Sequence, residues 1–398
     1  MRPKDTASVD GRTYRRGKTV ELHSGDFIRI MNILEDDYTG DTFLQGFRLR
    51  RLSQCRRLFD QHLNELTMVF EETNADIQTS ESGSMEVVSS FEVLRIRDVI
   101  LTNAAFSSFS CREDASNSML PRDVLRDQGR LVCRWKLKVS IRPQSNGRQW
   151  IEKSVSGLTA TEADVKFRLD DEHLRRRWRG ITIKKGSCAS WLRGERDFDL
   201  RERSLHRDLL TPPESDRVGR RTQRYTFGDA FCGAGGCSRG AKSAGLRVVW
   251  GFDSNLASID SYAKNFFGAR CEATPADVFL SVLNDNFCVD VLHLSPPCQP
   301  YSPAHTRLGK DDEMNEATFF AVGEIIKKSK PRVVTLENTF GLAQRRPEWM
   351  DAMVRFFTAL GFSVRWRVLN LAQYGVPQAR RRLVVIASWY VPLALQEC

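Results

Sequence analysis

From residue 225 onward the chain alternates short apolar runs with stretches of helical period, and this alternation narrows the possible architectures more than any other feature. Runs at 225–231, 246–252, 289–294, 332–336, 363–369 and 383–387 are mostly apolar along their length rather than at every second position. That pattern suits strands buried on both faces of a parallel sheet. Helical patterns fall between them at 238–244, 256–267, 316–328 and 348–360. The succession predicts an α/β fold with a doubly wound, Rossmann-like sheet carrying helices on both faces. The sequence repeats expected of solenoids and propellers are absent.

The first 220 residues have a different texture. Short β-type segments at 19–22, 26–31, 42–49, 66–70, 91–99 and 130–141 are separated by polar stretches such as 72–84, and none carries a Gly-rich phosphate loop. Three regions follow: a β-rich module at 15–165, a basic linker at 166–221 dense in Arg, Asp and Glu, and an α/β domain at 222–390. A length of 398 residues supports two or three cores. No apolar run approaches the roughly 20 residues that cross a bilayer, and the first residues, Met-Arg-Pro-Lys-Asp, precede no apolar segment, so an intracellular chain with no membrane partner is expected. Ten cysteines are scattered without CxxC spacing, which predicts neither a metal site nor a disulfide framework. The net charge of +10 favours a polyanionic partner. Arginine clusters at 175–179, 217–224 and 380–382 have the guanidinium forks that suit phosphates, although such runs are often solvated linkers.

Four constellations carry chemistry. Asp229-Ala-Phe231-Cys-Gly233-Ala-Gly235-Gly236 follows the first apolar run and opens a helical pattern, so its backbone can approach a ligand closely. Asp253 stands 20 residues after Gly233, at the end of the second run, where a carboxylate can accept both hydroxyls of a ribose. The pair fits an adenosine-containing cofactor, NAD or S-adenosylmethionine, without choosing between them. Ser295-Pro-Pro297-Cys298-Gln-Pro-Tyr-Ser ends the run 289–294 with two prolines, which places Cys298 at the carboxyl end of a buried strand as a nucleophile or, alternatively, a structural thiol. Glu337 ends the run 332–336, where a carboxyl can hydrogen-bond a heterocycle or simply face solvent. Gln378, Arg380 and Arg382 alternate before the last run and share a face of an extended segment.

Together these segments resemble the DNA (cytosine-5)-methyltransferase family, with the motifs in the family's order. Phe231-Cys-Gly-Ala-Gly-Gly is similar to its first motif, Asp253 to its ribose-binding acid and Asp277 to its adenine-side acid. Pro297-Cys298-Gln299 is similar to its nucleophile motif, Glu337-Asn338 to its Glu-Asn motif, and Gln378-x-Arg380-x-Arg382 to its Gln-x-Arg-x-Arg motif. The resemblance covers about residues 222–388 and looks closest to the fungal branch linked to repeat-induced silencing. The first half resembles a divergent bromo-adjacent homology (BAH) domain through 26–30, 47–51, 64–67 and 91–99.

The resemblance implies S-adenosyl-L-methionine as cofactor, with Phe231, Gly233, Gly235, Asp253, Asp277 and Pro297 around it, and an extrahelical cytosine of DNA as substrate. Cys298 would add to ring carbon 6. Glu337 would contact ring N3 and the exocyclic amine, and Arg382, supported by Arg380, the base carbonyl and a phosphate. It also implies a nuclear protein acting in DNA methylation and gene silencing, with chromatin or a histone as a partner of the first module. The sequence stops about ten residues after 383–387, where the family continues into a target-recognition region and two further motifs. A catalytically impaired chromatin-binding protein is therefore the alternative expectation.

Overall fold

The computed structural model describes residues 1–55, 58–60, 62–72, 85–104, 109, 120–143, 149–170, 174, 225–282, 287–297, 312–345 and 347–389. Cys298, the basic clusters at 175–179 and 217–224, and the linker from 171 to 221 apart from residue 174 lie outside the described residues. The chain forms two compact units, one of them discontinuous: Met1–Arg175 folds together with Phe340–Cys398, and Arg176–Thr339 is the other.

In the discontinuous unit, the strands from the first part of the chain are β1 (Arg2–Lys4), β2 (Thr6–Val9), β3 (Arg12–Arg15), β4 (Thr19–Leu22), β5 (Phe27–Glu35), β6 (Thr42–Arg51), β7 (Glu65–Glu72), β8 (Glu86–Ser89), β9 (Val93–Arg97), β10 (Val99–Leu101), β11 (Leu131–Pro143) and β12 (Gln149–Gly157), with helix α1 at Arg122–Gln128. Neighbouring strands run in the order β9, β4, β5, β6, β7, β11, β12, and the pairing is antiparallel except between β7 and β11. Side-chain alternation sorts β5 onto two cores: Phe27 packs with Leu49, Leu66 and Leu131, while Ile28, Ile30 and Ile33 pack with Val20, Leu44 and Val88. Ile30 and Ile33 are three apart, yet they share a face because the register slips between Ile30 and Asn32. The extra residue there, Met31, is 41% exposed, as expected of a β-bulge. Gly46, opposite Ile30, has no room for a side chain, since a Cβ would sit 1.9 Å from the Arg29 carbonyl oxygen.

Many arginines of this module are spent internally. Arg97 and Arg95 reach Glu21 at 2.6 and 2.8 Å, Arg29 reaches Asp164 at 2.7 Å, Arg48 joins Asp26 and Glu86, and Arg134 meets the fully buried Glu65. Burial pushes the Glu21 carboxyl up, but its hydrogen bonds from Arg95 and Arg97 outweigh that and leave it below the usual carboxylate range. These pairs tie strands to one another, so the charge of these arginines is spent inside the fold.

The other unit is a five-stranded parallel sheet: β13 (Thr226–Ala230), β14 (Arg247–Asp253), β15 (Arg270–Ala273), β16 (Val291–Leu294) and β17 (Val333–Thr339). Helices α2 (Gly236–Ser243), α3 (Leu256–Asn265), α4 (Ala276–Val282) and α5 (Asp312–Ser329) connect them. Strand order is β15, β14, β13, β16, β17, all parallel. The chain therefore winds outward from β13 through β15, then returns to the other side of β13. Strand order reverses between β13 and β16, the position at which open α/β sheets bind ligands. Trp250, Phe252, Phe279 and Phe287 form an aromatic core, and the Trp250 Nε1–H donates to the Phe287 carbonyl at 2.9 Å.

The remaining elements, α6 (Phe340–Arg345), α7 (Pro347–Ala359), β18 (Phe362–Asn370) and β19 (Arg381–Trp389), complete the discontinuous unit. β18 and β19 form an antiparallel pair, and β18 also pairs with β12, with Lys153, Ser154 and Val155 opposite Trp366, Arg365 and Val364. The Gly157 N–H donates to Ser363 Oγ at 3.2 Å, and the buried Thr358 hydroxyl donates to the Leu58 carbonyl at 3.0 Å. The β-rich module is thus covalently distant from residues 340–389 but shares their hydrogen bonds and core. Val155, 1% exposed, sits in this seam. Val155→Asp should lower stability by about 3 kcal/mol or more through a buried unpaired charge, and hydrogen exchange should show β18 losing protection together with β12. Protection of β18 unchanged from the native chain would contradict a shared seam.

Candidate active site

Register alone brings four chemically important positions into one row. Ala230 pairs with Phe252 and with Leu294, and Leu294 pairs with Leu336. The next residue on each strand, Asp253, Phe231, Ser295 and Glu337, therefore stands at the same level at the carboxyl ends of β14, β13, β16 and β17. The Ser295 N–H still donates to the Ala230 carbonyl at 3.1 Å, and the Cys232 N–H to the Phe252 carbonyl at 3.0 Å. Beyond this row β13, β14 and β16 have ended, while β17 runs on to Thr339.

The Gly-rich turn leaves the sheet sharply. Phe231 adopts φ +60°, and Gly233 and Gly235 adopt +53° and +95°. Gly235 meets two demands at once, because a Cβ there would lie 2.4 Å from the Phe266 ring and its φ is left-handed. At Gly233 a Cβ would meet nothing within 4 Å, so the side of the turn toward which it would point is open space. The Gly233 N–H donates to Asp253 Oδ2 and the Asn255 N–H to Oδ1, each at 2.9 Å. These two bonds orient a half-buried carboxylate and leave part of its acceptor capacity for a ligand. Asp277 is exposed in the first turn of α4, four residues beyond the end of β15, the neighbour of β14.

Pro297 is half-buried, three residues past the end of β16; Cys298 follows it in sequence outside the described residues. Glu337 is half-buried in β17, and its negative charge helps raise the Cys237 thiol on α2, which places the two within electrostatic reach. Cys237 is exposed by area yet ringed by protein, and desolvation first, then Asp229 and Glu337, push it up to about 12. The Cys232 thiol is raised further, by burial and then by Asp229 and Asp253. Both are held as protonated thiols and are poor nucleophiles. Arg380 and Arg382 lie in the other unit, at the entry to β19. Backbone bonds Gln378 N–H to Val376 O and Arg380 N–H to Gln378 O, at 2.7 and 2.8 Å, make consecutive tight turns. Gln378 and Arg380 therefore precede the strand instead of sharing one extended face with Arg382, which is in it.

Sequence reading missed a polar layer one step below the row. Asp229, His293 and Thr335 are register neighbours on β13, β16 and β17, two residues before Phe231, Ser295 and Glu337. Asp229 is fully buried, accepts from Ser238 Oγ at 2.6 Å, and has no partner on Oδ1. The Ser238 oxygen also lies 2.7 Å from the Tyr262 hydroxyl. Burial, with a smaller contribution from Asp253, pushes the Asp229 carboxyl up to about 7. Burial pushes His293 down to about 4. The available signal was a polar side chain inside each buried run, Asp in 225–231 and His in 289–294.

A raised carboxyl is a linkage statement. The Asp229 contribution is fully present below its ordinary value of 3.8 and is lost as pH rises through about 7, because only the unfolded chain ionises freely in between. Tyr262, Cys232 and Cys237 stay protonated over that interval and Asp253 adds negative charge, so none of these neighbours among the described residues offsets it. The thermal midpoint of Asp229→Asn, measured relative to the native chain, should therefore rise between about pH 4 and pH 8 by roughly 5 °C or more. A difference that stays flat across that range would show that Asp229 is ionised in the fold.

Residues 225–389 match the sequence family described as C-5 cytosine-specific DNA methylase. Among curated relatives, the type II methyltransferase M.MthTI of Methanothermobacter thermautotrophicus is 32% identical over 160 residues, covering 39% of this chain and 46% of its own. The type II methyltransferase M.AplI of Arthrospira platensis is 28% identical over 169 residues, covering 42% and 47%. A solved structure, the S. pombe Dnmt2 methyltransferase, aligns over 43% of this chain and 51% of its own at 17% identity with a TM-score of 0.34. The chain spans about half the length of the curated relatives it matches. Its segment 225–389, with the glycine turn, the strand-end acids and the Pro-Cys-Gln sequence, matches the C-5 cytosine-specific DNA methylases.

Proposed function

We propose that this chain transfers a methyl group from S-adenosylmethionine to carbon 5 of cytosine in DNA. The observation that carries the reading is the strand-end row: Asp253 and the glycine turn on one side of the reversal point, Ser295 leading to Cys298 and Glu337 on the other. The residues present fit the cofactor. Gly233 faces open space, Asp253 is oriented by two backbone donors with acceptor capacity remaining, and Phe231 supplies an aromatic ring at the turn. Asp253 would hold the ribose hydroxyls, Asp277 the adenine side, and Phe231, Gly233, Gly235 and Pro297 the surrounding wall. When bound, the cofactor supplies an electrophilic methyl group on a sulfonium.

The chain's own groups handle the base. Cys298, as thiolate, adds to carbon 6 and turns carbon 5 into a nucleophile. Glu337 hydrogen-bonds ring N3 and the exocyclic amine, stabilising the charge pushed into the ring. Arg382 and Arg380 contact the base carbonyl and a neighbouring phosphate. After methylation, water takes the carbon-5 proton, the electron pair left behind re-forms the 5,6 double bond, and Cys298 leaves carbon 6 as thiolate, restoring the aromatic ring and the free enzyme. A setting in fungal genome silencing, a nuclear location and a BAH-like role for residues 15–165 toward chromatin or histones complete the proposal, on the strength of the motif wording and the β-rich module.

Cys298→Ala should abolish incorporation of labelled methyl groups into DNA while cofactor affinity stays native. Glu337→Gln should lower the turnover rate by about 10²-fold or more. Substantial methyl incorporation by Cys298→Ala would overturn the assignment. Cofactor binding without transfer by the native chain would instead favour a catalytically impaired chromatin-binding protein.

A further inference from the structure

His293 interrupts an otherwise apolar strand, Val-Leu-His-Leu, and is 7% exposed. Burying an imidazole is costly unless both ring nitrogens find partners. Both do: Nδ1 lies 2.8 Å from Thr335 Oγ1 and Nε2 lies 2.6 Å from Ser295 Oγ. A neutral imidazole offers one donor and one acceptor, and each hydroxyl can play either role, so the chain Thr335–His293–Ser295 is closed without charge. Burial keeps the ring in that neutral form at working pH. Asp229 is the titratable group beside it in the sheet register, on β13, and it too is held toward its neutral form.

The chain has a particular place. Thr335 is two residues before Glu337 on β17, and Ser295 begins the segment that passes through Pro296 and Pro297 to Cys298. The backbone ladder between β16 and β17 ends at Leu294 and Leu336, so Ser295 is past its last pair. Ser295 is held on one side by its N–H bond to Ala230 and on the other by the imidazole. The side-chain bridge therefore begins at the His293–Thr335 pair inside the ladder and carries the tie one residue past its end, to Ser295.

We propose that His293, acting with Thr335 and Ser295, is a positioning residue for methyl transfer, bridging the strand end that carries Glu337 to the one that delivers Cys298. The inference rests on the reaction proposed above and adds to it the group that sets the relative placement of nucleophile and carboxylate. Preorganisation of this kind acts on the rate of attack, not on cofactor affinity.

The test uses the full chain and variants that remove hydroxyls with little change of shape, Ser295→Ala and Thr335→Val, beside His293→Leu and His293→Gln. Two rates are followed: covalent adduct formation with DNA containing 5-fluorocytosine, and alkylation of Cys298 by iodoacetamide mapped by mass spectrometry. Ser295→Ala and Thr335→Val should each slow adduct formation about tenfold, with cofactor affinity unchanged within about twofold. The double variant should be no slower than the slower single, because the bridge acts as one unit. His293→Gln, which keeps a donor and an acceptor, should retain more activity than His293→Leu. Cys298 alkylation should change by about fivefold in the hydroxyl variants. Native rates in both assays for both hydroxyl variants overturn the proposal. If the native chain forms no adduct but the variants still alter Cys298 alkylation, the methyl-transfer reading fails and the positioning role stands.

Discussion

The hydrogen bond from the Ser295 N–H to the Ala230 carbonyl, 3.1 Å long, sets the level at which the parallel sheet ends on both sides of its reversal point. Everything chemically notable in that unit is counted from it. Because β13 and β16 are in register to this point, the glycine turn and the Pro-Pro-Cys segment leave the sheet from adjacent strands at one height. A slip of one residue would turn Ser295 and His293 to the opposite face and separate the turn from the segment leading to Cys298. Two prolines after Ser295 enforce the exit by removing backbone donors.

Beneath that edge the sheet carries polar groups that are neutral by environment. An acid pushed up to about 7 and an imidazole pushed down to about 4 respond to the same cause, removal from water, in opposite directions. Below about pH 7 the acid, and above about pH 4 the imidazole, contribute dipoles and hydrogen bonds to the floor of the site instead of full charges. Asp229 also reaches Ser238 in the first turns of α2, and through it Tyr262 on α3, so the same layer anchors the helix that follows the glycine turn.

How much of this the sequence displayed depended on whether a segment's pattern was local. Mostly apolar runs located β13, β14, β16, β17, β18 and β19 within a few residues, and the glycine spacing located the turn, because burial and φ are properties of the segment itself. β12 and β15 were not legible: Gln149–Gly157 and Arg270–Ala273 are polar sequences made into strands by partners, β11 and β18 for one and β14 for the other. The bulge at Met31 is likewise invisible until Gly46 is seen against the Arg29 carbonyl. His293 passed unremarked inside an apolar run, and only the register shows that Thr335 and Ser295 are within reach. The turns at 376–380 replaced an expected extended segment because successive backbone bonds there close on two residues rather than on a neighbouring strand.

Net charge has to be resolved residue by residue. The excess of +10 favoured a polyanionic partner, and within the β-rich unit Arg29, Arg48, Arg95, Arg97 and Arg134 are each engaged by carboxylates. Desolvated guanidinium–carboxylate pairs fix strand order, and a phosphate could recruit those arginines only by displacing partners already in place. At the start of β19, Arg380 and Arg381 are exposed, and Arg381 lies over the Phe340 ring at 5.6 Å. That short basic step belongs to the discontinuous unit, whose sheet runs through β12 into β18 and β19. A polyanion held there would press on strands whose hydrogen bonds are shared with the β-rich module, which makes the module part of the frame behind the arginines and not an appendage to it.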